Sequence, residues 1–167
     1  MRALVWIAEG TWEACVAQAR TLVPKQAGVT LLHVAPADLE ELVAGGRAGL
    51  LGRHHPAPGP PLRAISDEEA RGLLEAARAA LGRQCEIIAR RGRVEREVVA
   101  ACADADLLVL ARDGERRLGP KSLGPHARFV VDHAPCPVVL VWAERPPAID
   151  TIPPPPRHSR PRHRRRV

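Results

Sequence analysis

"ADLLVLARDGERRLGPKSLGPHARFVVDHAPCPVVLVW", residues 105–142, decides the fold. It contains one apolar run at 106–111 and closes on another at 137–142, each short and rich in branched residues, as buried strands are. Between them lie a loop with glycines at 114, 119 and 124 and then a helical segment. Pro125 suits the first position of that helix, where its fixed φ fits and its missing N–H would lack a partner anyway.

The same pattern extends upstream. The runs "ALVWI" (3–7), "VTLLHV" (29–34) and "CEIIA" (85–89) have strand length and composition. Trp12, Cys15, Val16, Ala19, Leu22 and Val23 fall on one helical face before Pro24, and Val94, Val98, Val99 and Cys102 on another. "SDEE" places Ser66 as N-cap and Glu69 as the other half of a capping box, with Leu73, Leu74, Ala77 and Leu81 as the apolar face that follows. Strand and helix alternate, which predicts an α/β protein with a parallel sheet covered on both faces.

A chain of 167 residues accommodates one domain and a tail. The domain is expected over 1–145, with 36–65 partly a flexible insertion because its 51–65 part is proline- and glycine-rich and long for a connection. Residues 146–167 carry no core pattern and are read as a disordered Pro/Arg-rich tail. The formal charge of +6 equals the contribution of the tail's six arginines at 157, 160, 162, 164, 165 and 166, so residues 1–156 are formally neutral. The tail offers phosphate contacts to nucleic acid, but without interleaved aromatics or a recognition fold a solubilising end is the favoured reading.

Cys15, Cys85, Cys102 and Cys136 are widely spaced and form no C-x-x-C pair, so they read as reduced core or near-core thiols. No run approaches the roughly 18 apolar residues of a membrane span, and the N-terminus meets Glu9 and Gly10 too early for a secretory signal. A cytoplasmic location with no membrane partner is expected. The histidines, including His54–His55 and the pair His126 and His133 seven apart, lack metal-site spacing, so no metal is expected. No nucleophile–base–acid set can be assembled around "EGTW" or elsewhere, which favours a binding module over an enzyme and leaves the catalytic list empty.

The 105–142 stretch closely resembles the C-terminal half of the universal stress protein domain, with "HAPCPVVLV" its most specific piece. "ALVWIAEGTW" and "VTLLHVAP" are similar to that family's first and second strands, so the resemblance covers about residues 2–143 and omits most of 36–65. It implies an open five-stranded parallel sheet of order 3-2-1-4-5, of the adenine nucleotide alpha hydrolase-like type. It also implies a homodimer paired through the 137–142 strand, which would cover an apolar edge. ATP or another adenine nucleotide is the implied cofactor, bound outside the carboxyl ends of the first, second and fourth strands, in keeping with the switch-point rule.

The family's phosphate pattern runs glycine, two residues, glycine, nine residues, glycine, then serine or threonine. Here those positions are Ala111, Gly114, Gly124 and Pro125, so two of the four match. Pro125 removes both a backbone donor and a hydroxyl from the head of the helix, a loss of about 1.5–3 kcal/mol for each charge-assisted hydrogen bond. Arg112, Arg116, Arg117, Lys121 and Arg128 could compensate, with Ser122 as a replacement hydroxyl if the loop bends inward; the competing reading makes them solvated charges balanced by Asp113 and Glu115.

In the first strand Trp6 stands where nucleotide-binding members have proline. The adenosine-facing acid aligns with Ala8, or with Glu9 if one residue is inserted, and the shifted alignment is preferred because Gly10 and Thr11 then follow as in the family; Thr11 also reads as a helix N-cap. Val34 occupies the position whose backbone meets the adenine edge. Trp6 or Trp12 could stack on a base, although helical spacing makes Trp12 a core residue. The expectation is therefore a regulatory, stress-response module with a degenerate adenine-nucleotide cleft that binds nucleotide weakly or not at all. Slow ATP hydrolysis through the 111–125 loop, or a scaffold whose arginine tail binds nucleic acid, are the alternatives.

Overall fold

The computed structural model describes residues 1–37, 60–152 and 154, with only the backbone of 60–66. Five strands, β1 (Arg2–Trp6), β2 (Gly28–Pro36), β3 (Glu86–Gly92), β4 (Leu107–Arg112) and β5 (Val138–Trp142), form one sheet in the order β3-β2-β1-β4-β5. All four pairings are parallel, with Ala3 opposite both Val29 and Leu107, and Val109 opposite Val139. This is the expected α/β architecture and strand order.

The side-chain period of two sorts the strands onto two cores. Ala3, Val5, Val29, Leu31, Val109 and Val141 pack on one face with Cys15, Val16 and Ala19 of α1 (Trp12–Leu22) and with Leu74, Ala77 and Leu81 of α2 (Pro60–Leu81). Leu4, Trp6, Leu32, Val34, Leu108 and Leu110 pack on the other with Val98 of α3 (Val94–Ala101), with Cys102 just beyond it, and with Ala127 and Val130 of α4 (Pro125–His133). Leu31, Leu32, Leu108 and Leu110 are fully buried, and truncating one such leucine to alanine costs about 2–5 kcal/mol.

Helix ends follow local chemistry. The α1 helix ends before Pro24, and the Arg83 guanidinium donates to the carbonyls of Val23 (3.3 Å) and Pro24 (2.8 Å). Leu22, expected on the apolar face, is exposed, and the buried position at this end of the helix is taken by Val23. The α2 helix begins at Pro60 rather than at Ser66, six residues before the capping signal. Pro60 and Pro61 occupy the first turn, where absent N–H groups cost no hydrogen bond, so the proline-rich stretch enters the helix instead of stopping short of it. Asp67, inside α2, pairs with Arg91 at 2.8 Å and ties the helix to the end of β3. The rest of the 36–65 segment, from residue 38 to 59 and including His54 and His55, lies outside the described residues.

Of the stretch read as a tail, residues 146–152 and 154 are described. A short 3₁₀ turn, Ile149–Thr151, follows β5, whereas the arginines from 157 onward lie outside the described residues. Among the described residues no helix is long and apolar enough to cross a membrane.

The four cysteines are free thiols. Burial pushes Cys15 up to about 12, and burial together with the adjoining Cys136 does the same to Cys102. Near pH 8 the thiolate fraction of either is then on the order of one part in ten thousand. Iodoacetamide should leave Cys15 and Cys102 unmodified in the native protein and modify both after denaturation; mass spectrometry showing rapid native labelling of either would contradict this core assignment.

Candidate functional site

Strands β1 and β4 lie side by side, but the chain leaves β1 for α1 on one face and leaves β4 for α4 on the other. Such a divergence opens a crevice at the carboxyl ends of the two strands, where ligands of doubly wound sheets bind. Residues after β1, the end of β2 and the loop after β4 border it.

After β1 the Ala8 carbonyl accepts from the amides of Thr11 (3.3 Å) and Trp12 (3.1 Å) and from the Thr11 hydroxyl (3.3 Å). This turn leaves Glu9 exposed at its tip and Thr11 at the N-cap position of α1, its hydroxyl directed back to Ala8 rather than to a helix amide. Trp6 is a core residue against α3 and α4, and Trp12 packs half-buried against the opposite core. Registered pairing of β1 with β2 ends at Trp6–Leu32, whereas β2 pairs with β3 as far as Pro36–Gly92. Val34 therefore lies beyond the last β1 rung, toward the carboxyl end of β2, with its side chain buried. His33 beside it places Nδ1 2.9 Å from the Ile7 carbonyl oxygen; since a carbonyl only accepts, Nδ1 carries the proton in this contact.

The loop after β4 closes on itself. The Gly114 amide donates to the Ser122 carbonyl (3.0 Å) and the Glu115 amide to that of Lys121 (2.8 Å), forming a narrow neck. Gly114 is glycine because a Cβ there would lie 2.4 Å from the Lys121 carbonyl oxygen and 2.7 Å from the Ser122 carbonyl carbon. Ala111, the other family position before it, is 8 % exposed and turns its methyl into the core shared with α1 and α2.

At the far end of the neck Gly124 caps α4 and Pro125 is its first residue. The Gly124 amide donates to Asp113 Oδ1 at 2.7 Å, and the carboxylate lies 2.9 Å from where a Gly124 Cβ would stand. A carboxylate supplied by the chain itself thus occupies the place at a helix head that favours an anion. Asp113 has no counterpart in the glycine pattern; its signal is an acid directly before Gly114 and eleven residues before Gly124 in a loop of mostly basic charge.

The loop's cations are engaged too. Ser122 does bend inward and is fully buried, but its hydroxyl accepts from Arg112 Nη1 and donates to the Gly119 carbonyl at 2.7 Å. The Arg112 guanidinium also lies over the Trp142 ring, 5.1 Å from its centroid. Arg128 donates to the carbonyls of Pro120 and Leu123, Arg117 and Lys121 each lie 3.5 Å from Glu115, and Arg116 pairs with Glu144. The ion pairs of Lys121 and Arg116 are exposed and contribute at most about 1 kcal/mol, so the half-buried Arg112–Ser122 contact is the more consequential one.

Glu95 of α3 anchors the head of α4 by meeting His126 Nδ1 at 2.9 Å. Its own backbone amide, followed by His126 and Arg93, holds its carboxyl below the usual range despite burial. His133 instead contacts the Phe129 carbonyl (2.8 Å) and stacks on that ring, so the two histidines do not converge. Among the described residues no three His, Cys, Asp or Glu side chains gather as a metal site.

A doubly wound parallel sheet with a glycine loop at its switch point defines a class of small α/β proteins whose ligand crevice lies at the carboxyl edge. The model of the universal stress protein family matches residues 11–141, and the chain belongs to that family. Hypothetical protein MJ0577 is similar in fold, with 21 % identity, TM-score 0.64 and coverage of 84 % of this chain and 94 % of that one. Universal stress protein UspA from Lactobacillus plantarum aligns with 20 % identity and TM-score 0.57 over 84 % and 97 % of the two chains. A universal stress protein in complex with cAMP aligns with 16 % identity and TM-score 0.57 over 86 % and 98 %. No curated protein matches significantly in sequence.

The neck geometry predicts that Gly114→Ala lowers stability by about 1–3 kcal/mol, since the new methyl meets the backbone of residues 121–123. A thermal melt indistinguishable from that of the native chain would contradict the closed neck.

Proposed function

We propose that this protein is a regulatory, stress-response module of the universal stress type, acting in the cytoplasm, whose adenine-nucleotide cleft is degenerate and binds nucleotide weakly or not at all. The observation that carries this reading is the 2.7 Å bond from the Gly124 amide to Asp113. A nucleotide phosphate approaching the head of α4 would have to displace that carboxylate or accept its repulsion, and Pro125 supplies no amide to compensate. The inward hydroxyl of Ser122, the natural substitute, is already shared between Arg112 and Gly119. For the adenine side we propose Glu9, Thr11 and the Val34 backbone as the bordering residues, a reading supported by the similar universal stress protein solved in complex with cAMP.

Titration calorimetry with ATP, ADP and AMP should give a Kd in the millimolar range or no heat. Micromolar binding by the native chain would sink the reading. Asp113→Ala should tighten ATP by roughly tenfold, the scale of one charge-assisted hydrogen bond no longer contested.

The module is further proposed to be a homodimer paired through β5, whose residues Val138–Trp142 form an edge strand with partly exposed apolar side chains. Asp or Lys at the partly exposed Val139 should yield monomer or aggregate in light scattering, whereas Val141 is buried in the core and would not isolate the interface. An unchanged dimer mass would place the interface elsewhere.

A further inference from the structure

Beyond β5 the chain turns back over the glycine loop. The Leu118 amide donates to Thr151 Oγ1 at 3.1 Å, and the same hydroxyl donates to the Ala148 carbonyl at 2.7 Å, so both its roles are assigned. Two residues earlier in the loop, Arg116 reaches Glu144. Trp142, the last residue of β5, lies under the Arg112 guanidinium that holds Ser122. Three points on the 112–118 stretch are therefore gripped by residues 142–151, all of which lie beyond the 11–141 match to the family model.

The grip has a particular physical character. Ile149 is 79 % exposed and Ile152 is 55 % exposed, so the segment buries little apolar surface at its large side chains. The Arg116–Glu144 pair is exposed and adds little. Attachment rests mainly on the Thr151 hydroxyl, and an element held by hydrogen bonds rather than by burial opens at low free-energy cost.

We propose that residues 143–152 are a releasable strap that keeps the glycine loop in its self-bonded form. With Leu118 held, the loop beyond the Gly114–Ser122 and Glu115–Lys121 neck cannot swing outward, and the neck stays closed. Detaching Thr151 frees the middle of the loop and lets the neck breathe. Access to the amides of the loop is in this way governed by the chain after β5. The inference concerns loop opening alone and does not depend on whether a nucleotide binds.

Amide hydrogen exchange by NMR on the full chain tests it, reading loop amides beside core amides of β1 and β2, whose unchanged rates show that the fold as a whole is not destabilised. Thr151→Val removes the hydroxyl at nearly constant shape, and Thr151→Ser keeps it. In the valine variant Leu118, Gly114 and Glu115 should exchange roughly three- to tenfold faster, the scale of one lost hydrogen bond, while the serine variant stays near the native rates. Acceleration confined to Leu118 would reduce Thr151 to a local cap and overturn the strap. Unchanged loop rates in the valine variant, or equal acceleration in both variants, would overturn it as well.

Discussion

Parallel strands cannot be joined by tight turns, so each must be followed by a crossover, and the sheet that results has to bury both faces. That constraint governs this molecule. It places α1 and α2 on one side and α3 and α4 on the other, and it makes Leu31 and Leu32, neighbours in sequence, members of opposite cores. It also consumes nearly all apolar side chains of the strands in packing, so polar chemistry is confined to the edge where strands give way to loops. The loop between β4 and α4 is the longest described connection on that edge, and its chemistry is correspondingly the most distinctive.

Strand positions and the start of α4 at Pro125 are legible in the sequence, because short branched apolar runs suit buried strands and a proline ahead of a helical period suits a helix head, whereas the strand order comes only through the family resemblance. The start of α2 is not. Ser66 with Glu69 is a sound capping signal, but capping chemistry is local, and two prolines ahead of it make an earlier start equally free of cost. For the crevice, the sequence locates Gly114 and Gly124 and leaves open whether the basic residues face a ligand. The deciding contacts cannot be read from it: Asp113 with Gly124, Ser122 with Arg112 and Thr151 with Leu118 span 11, 10 and 33 residues, and each depends on how the loop turns. Residues 146–152 have the composition of a tail because they lack an apolar period, and the Thr151 contacts to Leu118 and Ala148 leave no periodic trace in the sequence.

The two glycines of the loop illustrate how one residue type serves two ends. At Gly114 the missing side chain admits another stretch of backbone, and at Gly124 it admits a carboxylate. At both positions the closely approaching group belongs to the chain itself.

A carboxylate tethered eleven residues from the amide it engages is a ligand that cannot be diluted. Joined through so short a chain, it is present at an effective concentration on the order of millimolar or more, whatever the composition of the surroundings. A free anion competing for the Gly124 amide faces that rival at every moment. At equal intrinsic affinity the Gly124 amide therefore stays with Asp113 unless a competing anion exceeds that effective concentration.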